Sequence, residues 1–370
     1  MKLLKFILVF FLVASSFVGC DGKDPIPEDD NTQNEQPDQP QDQPEEQPQN
    51  PPQGGGDTTK IPEVLNVEPI LENWTEVSSD YGTLPASIKI YKSPAKSLDK
   101  LIIAYIAVAE LSSATFDLWS ISDPEIDGTS EPFRTPSQIY NTEKWPVVIN
   151  GGFFYSSGGK YYTSSLAVRD SIVLAHNINY ASEDWKKIYY PTRAALLGYG
   201  DGTYEAAWTY YNNNAATDYV YPQPADNKWG YTPKAVPSAT YPEGAKKLSA
   251  KIGIGGGPLL VREGKFVNSY VAELFNGTSG IGPDIDAPRT AVGVTKDNKI
   301  IFFVCEGRNM TEGVKGLTTE DVANIMLALG CVEAINLDGG GSSCMLVNGK
   351  ETIKVSDGSQ RAVASTLMLK

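Results

Sequence analysis

Residues 332–345 read VEAINLDGGGSSCM. The apolar run 332–337 predicts a strand, and the carboxylate of Asp338 follows it directly, before three glycines and two serines. Three consecutive glycines weaken a strand and cost backbone entropy, so they are usually found where the backbone approaches another group closely. The N–H groups of such a turn can form an anion-binding concavity. The stretch therefore predicts either a site for a phosphorylated or sugar ligand or a tight loop between two strands.

Two other apolar runs also end in glycines. Residues 147–152 read VVINGG, and residues 252–258 read IGIGGGP. Strand ends that carry glycine loops are a common way to build a cleft from a sheet. We therefore expect the three loops to share one pocket.

Strand patterns dominate the rest of the chain. Apolar or alternating runs predict strands at 87–92, 101–109, 115–121, 145–149, 165–168, 172–174, 193–197, 204–208, 258–261, 265–267, 291–295, 299–304, 346–347, 352–355 and 362–369. One helix is predicted to begin at Thr135-Pro136, and another to be capped by Thr318 or Thr319 and to end at Gly330. Because VEAINL follows this helix, we expect a crossover. The expected fold class is α+β, a strand-rich mixed sheet core with a few helices and a surface cleft formed by Gly-rich loops.

Residues 209–248 have a different composition. They combine Asn, Pro and Gly with the aromatic residues Tyr210, Tyr211, Tyr219, Tyr221, Trp229, Tyr231 and Tyr241. We interpret the segment as a long excursion with little regular structure. Its aromatic side chains would either stack on sugar rings or hold the loop onto its own domain.

The first 20 residues have the pattern of a lipoprotein signal peptide. Lys2 and Lys5 precede the apolar residues 6–18, which are too few to span a bilayer, and Gly19-Cys20 closes the stretch. The pair resembles a lipobox, which predicts lipidation at Cys20. The expected location is the bacterial cell envelope, with the chain anchored to a membrane and the domain in the periplasm or at the cell surface. The alternative is simple secretion.

Residues 21–60 are predicted to be a disordered tether, and residues 61–370 the folded domain. The tether is rich in Pro and Gln and holds 11 acidic and 2 basic residues, a composition that cannot bury a core. The domain carries a net charge of −7 out of −14 for the chain, without a basic stripe, so no nucleic-acid partner is expected. We expect a monomer.

Residue types exclude or weaken several chemistries. His176 is the single histidine, so a multi-histidine metal site is impossible, and a Ser-His-Asp triad would have to use it without a G-x-S-x-G elbow. No Walker or dinucleotide motif is present. The domain has three cysteines (305, 331 and 344) and no C-x-x-C pair. These cysteines allow one bridge, but buried thiols are expected.

No cofactor and no resident metal are predicted. Asp284 and Asp286 in GPDIDAP either bind a divalent cation or flank a turn, and we favour the turn. The remaining chemistry, that of carboxylates and arginines, suits glycoside or phosphodiester hydrolysis. Arg289, Glu306 and Arg308 abut apolar runs, as does Arg361. A charge at such a position is paired, solvated or at a site, so the arginines would either bind phosphate or form salt bridges at the rim.

These motifs resemble the phosphodiester glycosidase domain family. The matching blocks are NGGFF (150–154), PRTAVG (288–293), EGR (306–308), GLTTEDVANIMLALGCVEAINLDGGGSS (316–343) and RAVAS (361–365). They span most of residues 150–370. EGR departs from the DGR that is more frequent in the family.

The resemblance implies removal of a sugar, N-acetylglucosamine or a similar one, from a glycosyl-1-phosphodiester, which exposes a phosphomonoester. A phosphate leaves without much protonation, so one of the two carboxylates of an ordinary glycosidase can be dispensed with. Asp338 first and Glu306 second would stabilise or attack the reacting carbon or activate water. The residues expected to bind the substrate are Arg289, Arg308 and Arg361 at the phosphate, Asn150 and Ser342 at sugar hydroxyls, and Gly151, Gly152, Thr290, Gly339, Gly340 and Gly341 along the loops.

Two other functions fit the same residues. A phosphodiesterase would cleave the P–O bond instead of the C–O bond and can yield identical products. A non-catalytic, surface glycan-binding lipoprotein would use the same cleft without turnover.

Overall fold

The computed structural model describes residues 73–182, 186–277 and 280–370. In it, the three glycine-ended runs form strands of three separate antiparallel sheets. These residues belong to one compact unit, Glu63–Lys370. The predicted signal peptide, the lipidation site at Cys20 and the tether 21–60 lie outside the described residues. No helix within the described ranges is long and apolar enough to cross a bilayer.

The elements follow one another mainly as short strands. In the first half of the domain these are β1 (Thr75–Glu76), β2 (Ile88–Lys92), β3 (Lys96–Ser97), β4 (Lys100–Leu101), β5 (Ala104–Glu110), β6 (Phe116–Ser120), helices α1 (Pro124–Asp127) and α2 (Pro136–Glu143), β7 (Val147–Asn150), β8 (Phe154–Ser157), β9 (Lys160–Thr163), β10 (Ala167–Arg169), β11 (Ile172–Ala175), β12 (Arg193–Gly198) and β13 (Tyr204–Asn212). The second half contains β14 (Thr217–Tyr221), β15 (Lys246–Lys247), β16 (Ile252–Gly255), β17 (Leu259–Arg262), β18 (Lys265–Phe266), β19 (Arg289–Thr295), β20 (Lys299–Cys305), α3 (Thr319–Ala328), β21 (Cys331–Asn336), β22 (Met345–Val347), β23 (Lys350–Glu351) and β24 (Ser365–Leu369). Short 3-10 helices lie at Ser78–Tyr81 and Gly340–Ser342.

Three sheets make up most of the fold. Their strand orders are β1-β2-β5-β20-β19-β21-β17-β18, β11-β10-β16-β12-β13-β14-β15 and β23-β22-β7-β24-β6, and β3-β4 and β8-β9 are two-stranded. The abundance of strands and the small helical content confirm the α+β class. Each of the three glycine-ended runs contributes to a different sheet, through β7, β16 and β21. The loops after these strands can therefore meet where the sheets adjoin.

The expected crossover is present, and it passes over one intervening strand, β19. Helix α3 joins β20 to β21, and both strands pair antiparallel with β19, on opposite sides of it. The two strands therefore run in the same direction without bonding to each other. Strand β19 forms a hairpin with β20 and lies between β20 and β21, so these two parallel strands cannot pair with each other. The ladders of the described strands are antiparallel, and this corrects the expected mixed pairing.

Helix α3 begins as its sequence predicts. The Thr318 hydroxyl accepts a hydrogen bond from the Asp321 N–H (3.1 Å), and the Asp321 carboxylate accepts one from the Thr318 N–H (2.8 Å). This capping box satisfies N–H groups that a helix start leaves unpaired. Gly330, with φ +79°, follows the helix end. The buried face of the helix consists of Val322, Ala323, Ile325 and Met326.

One apolar core is shared by the three sheets. Ile90 and Phe302 of the eight-stranded sheet, Leu196 of the seven-stranded sheet and Ile149 of the five-stranded sheet belong to it. Burying one such side chain contributes about 1.5–3 kcal/mol, so the common core stabilises all three sheets together. Smaller clusters lie under α3 and α2 on the outer faces.

The structure corrects the interpretation of residues 209–248 as largely irregular. Strand β13 continues to Asn212 and pairs with β14. Tyr210, Tyr219 and Tyr221 are buried in this hairpin, where they pack into the shared core. The aromatic residues at the start of the segment therefore hold it onto the domain, and the irregular part is confined to the stretch between β14 and β15.

The thiols and the histidine have structural surroundings. Cys305, Cys331 and Cys344 are free and buried, as expected, and burial raises the pKa of each thiol. His176 lies 2.9 Å from Asp218 through Nδ1 and stacks on Tyr211 at 3.7 Å between ring centroids.

Candidate active site

The three glycine loops come together at Asp338. The Asp338 N–H donates to the Gly151 carbonyl (3.1 Å), and the Gly257 N–H donates to the Asn336 carbonyl (2.7 Å). The loop after β21 is thus bonded to the loops after β7 and β16. The three loops are therefore joined by backbone hydrogen bonds. A single pocket lined by all three of them stays a prediction.

Asn150 holds this junction from inside. It is 0% exposed; its Nδ2 donates to the Asp338 carbonyl (2.7 Å), and its Oδ1 accepts from Thr290 Oγ1 (2.8 Å) and the Cys344 N–H (3.1 Å). The polar side-chain atoms of Asn150 and Thr290 are thus hydrogen-bonded to other groups of the protein. The prediction that Asn150 and Thr290 bind substrate is therefore corrected, because these residues position the backbone of Asp338 instead.

The Asp338 carboxyl group has a perturbed pKa. The residue keeps part of its surface in solvent, but burial raises its pKa to about 6, while a hydrogen bond with Ser342 and the charge of Arg361 act in the opposite direction. At pH 7 about 90% of the carboxyl groups are ionised at such a pKa. A carboxylate that is titrated near neutral pH can serve as a base or a nucleophile.

Two arginines lie at the glycine loop that follows this carboxylate, Arg308 next to Gly340 and Arg361 next to Gly341, and we call them the arginine pair. Arg361 Nη1 donates to Ser342 Oγ (3.4 Å), and its Nε and Nη2 donate to Asp357 Oδ2 (3.0 and 2.5 Å). Arg308 Nη1 lies 3.6 Å from Asp357 Oδ1. Asp357 therefore joins the two guanidinium groups, which remain about half exposed. Their positive charge and exposed surface suit a phosphate group.

Sequence reasoning missed Asp357. Its signal is local, because the acid begins an Asp-Gly turn four residues before Arg361. Such a spacing brings an acid and a base together where the chain turns back on itself.

The glycines after Asp338 allow the backbone to approach the arginine pair. A Cβ atom on Gly341 would lie 2.1 Å from both Arg361 Nη2 and Asp357 Oδ2. Gly340 has φ +59°, and a Cβ there would lie 2.8 Å from Arg308 Nη2. Side chains at these positions would push the arginine pair away. The other predicted loop glycines, Gly151, Gly152 and Gly339, are equally confined, with an added Cβ at 2.3 Å from Ser365 Oγ, 2.4 Å from the Gly255 carbonyl and 2.8 Å from the Pro288 carbonyl, respectively.

Arg289 does not join the arginine pair, contrary to the prediction that it binds phosphate. It is 2% exposed. Its guanidinium donates to the carbonyls of Leu317 (2.8 Å), Ile281 (3.1 Å), Gly282 (2.6 Å) and Ile285 (2.6 Å). Four of its five N–H groups are thus committed. Arg289 fastens the segment 281–285 to the residues that precede α3.

Glu306, the expected second catalytic carboxylate, lies in a buried position. It is 4% exposed, its Oε1 accepts from the Lys354 N–H (2.9 Å), and Oε2 has no hydrogen-bond partner among the described residues. In that part of the chain no hydrogen bond or ion pair joins it to Asp338 or to the arginine pair. Glu306 therefore supports the segment that leads to Asp357.

The acidic turn after residue 283 is held by a lysine. Lys100 Nζ lies 2.7 Å from Asp286 Oδ1 and 2.6 Å from Asp321 Oδ2, so an ammonium group occupies the space between these carboxylates. In the described ranges, no group of three or more His, Cys, Asp or Glu residues is arranged to hold a metal ion. A cavity of about 630 Å³ beside this turn is lined by Lys100, Arg308 and Lys315, among others.

A second cavity, which we call the aromatic pocket, opens next to the NGG loop. Its volume is about 440 Å³, and its lining includes Phe153, Phe154, Tyr180, Arg193, Trp229, Gly256 and Phe275. The Trp229 indole donates to the Asn276 carbonyl (3.0 Å), which fixes the ring. Of the aromatic residues in 209–248, Trp229 is thus one that reaches a cavity suited to a sugar ring.

Comparisons with known proteins agree with this picture. The sequence model of the phosphodiester glycosidase family matches residues 144–370. The SPbeta prophage-derived uncharacterized protein YomE of Bacillus subtilis is 37% identical over 86 residues, which are 23% of this chain and 13% of that protein. The chain therefore matches only a small part of that relative's length.

Solved structures share the fold. The catalytic domain of zebrafish N-acetylglucosamine-1-phosphodiester alpha-N-acetylglucosaminidase, auto-inhibited by its pro-peptide, matches with a TM-score of 0.51 and 18% identity, over 80% of this chain and 87% of that one. A hypothetical protein from Synechocystis matches with a TM-score of 0.50 and 16% identity, over 80% and 67% of the two chains. At these identities the likeness concerns the fold alone.

Proposed function

Since the chain belongs to the phosphodiester glycosidase family, we propose that it hydrolyses a glycosyl phosphodiester at Asp338. The bond between the anomeric carbon and the phosphate oxygen breaks, and the products are a free sugar and a phosphomonoester. The observation that supports this most strongly is the contact series from Asp338 through Ser342 to the arginine pair. It puts a titratable carboxylate and two cations at one glycine loop.

The arginine pair would bind the phosphate. Both guanidinium groups are half-exposed, and Asp357 orients them by an ion pair on each side. Charge develops on the phosphate oxygen as the sugar leaves, and fixed donors that face this oxygen stabilise the transition state. The phosphate then departs as an anion, so a general acid is not required.

Asp338 would act in its ionised form. It either attacks the anomeric carbon or takes a proton from the water that attacks it; the electron pair of the broken C–O bond goes to the phosphate. One carboxylate suffices in this scheme, which assigns the step to Asp338 and none to Glu306. The Asn150 amide, which bonds to the Asp338 backbone, keeps the carboxylate in place.

The sugar ring would occupy the aromatic pocket. Gly151 accepts the Asp338 N–H, and Phe153 two residues later lines the pocket. A ring stacked against these aromatic side chains would lie close to the carboxylate. The name of the zebrafish relative makes N-acetylglucosamine the first sugar to test.

We also propose that the domain works in the cell envelope on a lipid anchor. The support is the sequence of residues 1–60, with its lipobox-like Gly19-Cys20 and acidic tether. Detergent phase partitioning of the full chain tests this. We expect the wild-type chain to enter the detergent phase and the Cys20→Ser variant to stay in the aqueous phase. A wild-type chain that stays in the aqueous phase would contradict the anchor.

The hydrolysis is tested with N-acetylglucosamine-alpha-1-phospho-6-mannose. The wild-type chain should release N-acetylglucosamine, and Asp338→Asn should lower the rate by about 100-fold or more, because proton transfer or attack by the carboxylate is lost. Arg169→Gln, which removes a distant surface ion pair with Asp117, is the matched control and should retain activity. Full activity of Asp338→Asn would remove this residue from the mechanism, and binding without release would favour a glycan-binding protein.

A further inference from the structure

A buried cation lines the aromatic pocket. Arg193, the first residue of β12, is only 8% exposed, and its guanidinium carbon lies 4.1 Å from the centroid of the Phe275 ring. Both side chains line the cavity beside Phe153 and Gly256. A guanidinium group in such a place loses its hydration, so it needs hydrogen-bond partners from the protein or from a ligand.

Some of the hydrogen-bond partners that Arg193 needs are missing. Its Nε and Nη1 atoms are buried and make no hydrogen bond within the described residues. Burial lowers the pKa of Arg193 to about 10, so the side chain remains charged at neutral pH. The molecule therefore keeps a charged group at the wall of a cavity, with two nitrogen atoms that lack a hydrogen-bond acceptor among the described residues.

The carboxylate that offsets this charge is already occupied. Glu273 attracts Arg193 electrostatically, but its oxygens accept hydrogen bonds from four other donors. These are the Ala194 N–H (2.8 Å), the Leu259 N–H (2.9 Å), Trp208 Nε1 (3.2 Å) and Ser269 Oγ (2.5 Å). Glu273 therefore supplies a counter-charge without supplying the missing hydrogen bonds.

We propose that the aromatic pocket selects a sugar that carries a carboxylate, and that Arg193 binds this carboxylate. The inference rests on the proposed function and names its substrate class, a glycosyl phosphodiester of an acidic sugar. A carboxylate offers two anionic oxygens, whereas an acetamido group offers a single neutral carbonyl. A guanidinium and a carboxylate can form two parallel, charge-assisted hydrogen bonds, and their opposite charges add an attraction that the neutral carbonyl does not provide.

Three sugar phosphates test the inference. The full-length Asp338→Asn protein, in which turnover is suppressed, is titrated by calorimetry with the 1-phosphates of α-D-glucuronic acid, α-D-glucose and N-acetyl-α-D-glucosamine. The first two probes differ only at C6. The glucuronic acid compound should bind about tenfold or more tightly than the other two, the difference expected for one hydrogen-bonded charge.

Replacement of Arg193 completes the test. In Asp338→Asn, the added change Arg193→Gln should abolish the preference and leave affinity for glucose 1-phosphate within about twofold, whereas added Arg169→Gln should change neither. Circular dichroism checks the fold. If Arg193→Gln does not fold, the order of the three probes in Asp338→Asn still decides the question.

The outcomes separate this inference from the proposed function. Equal affinity for the first two probes, or preference for the N-acetyl compound, would overturn the acidic-sugar assignment and leave hydrolysis at Asp338 standing. If none of the three probes binds, both the acidic-sugar assignment and the assignment of the arginine pair to the phosphate would be overturned. The release assay on the diester remains the separate test of hydrolysis.

Discussion

At the scale of single residues, opposing forces act on Asp338. Burial raises the pKa of its carboxyl group to about 6, and the Ser342 hydroxyl and Arg361 charge keep it from rising further. Removing the arginine would raise this pKa further. The same arginine thus serves the carboxylate and, in our proposal, the phosphate.

The pH dependence of hydrolysis follows from this pKa. Because the ionised carboxylate is the active form, kcat/KM should rise about tenfold per pH unit well below pH 6 and level off above about pH 7. Initial rates between pH 4.5 and 8 measure it. A rate that falls over this interval would show that Asp338 acts in its protonated form.

Stability should respond to pH in the opposite sense. A carboxyl group with a raised folded-state pKa stabilises the fold fully below its unfolded pKa of about 4, and this contribution is lost as the pH rises through about 6. Asp338→Asn, which stays neutral, should therefore be more stable than wild type at pH 7.5, by about 1–2 kcal/mol, and gain nothing at pH 4. Urea unfolding at the two pH values gives the comparison. A variant that is less stable at pH 7.5 would contradict the buried-carboxylate account.

Gly341→Ala separates catalysis from stability. The added Cβ meets the tips of Arg361 and Asp357, flexible atoms that can move aside without unfolding the chain. We expect kcat/KM to fall about tenfold or more because the arginine pair is displaced, with little change in the melting temperature. If activity is retained, the arginine pair does not contact the reacting phosphate.

At the scale of elements, the site depends on three strands that end together. Asn150 at the end of β7 bonds to Asp338, two residues after β21, and also to Thr290 in β19. Strand β7 belongs to the five-stranded sheet and β19 and β21 to the eight-stranded sheet, so one amide group links the two sheets at the site. The glycines that follow then allow the close approach.

Asn150→Ala should loosen this junction. The change leaves buried donors and acceptors of Asp338, Thr290 and Cys344 unpaired, at a cost of about 1–3 kcal/mol each. We expect the free energy of unfolding to fall by about 3 kcal/mol, measured by denaturant titration. Asn214→Ala in an exposed turn is the control. A loss as small as in that control would show that Asn150 is not the joint between the sheets.

The sequence predicts these elements better than it predicts their side-chain contacts. Periodicity and caps located the glycine-ended strands and helix α3, since both signals are local. A charge next to an apolar run does not reveal which way its side chain points. Arg289 turns inward to the Leu317 carbonyl, 28 residues away, and Glu306 turns inward to the Lys354 N–H, 48 residues away. Asp357 reaches Arg361 because the chain turns back between them. Long-range contacts of this kind require the fold.

At the scale of the whole molecule, three sheets share one core, and the site lies where their loops meet. The Asp338 N–H bonds to Gly151, two residues before Phe153 of the aromatic pocket. Arg361 of the arginine pair bonds to Ser342, which is hydrogen-bonded to Asp338. A glycosyl phosphodiester whose sugar occupies the pocket would present its phosphate to the arginines. This arrangement directs attack to the anomeric carbon, which is the central claim.

Hydrolysis in oxygen-18 water tests that claim most directly. The wild-type chain is incubated with N-acetylglucosamine-alpha-1-phospho-6-mannose, or with the glucuronic acid diester if that sugar is preferred, and both products are analysed by mass spectrometry. Cleavage of the C–O bond predicts the label in the released sugar and none in the phosphate. Label in the phosphomonoester would show cleavage of the P–O bond and contradict the glycosidase account.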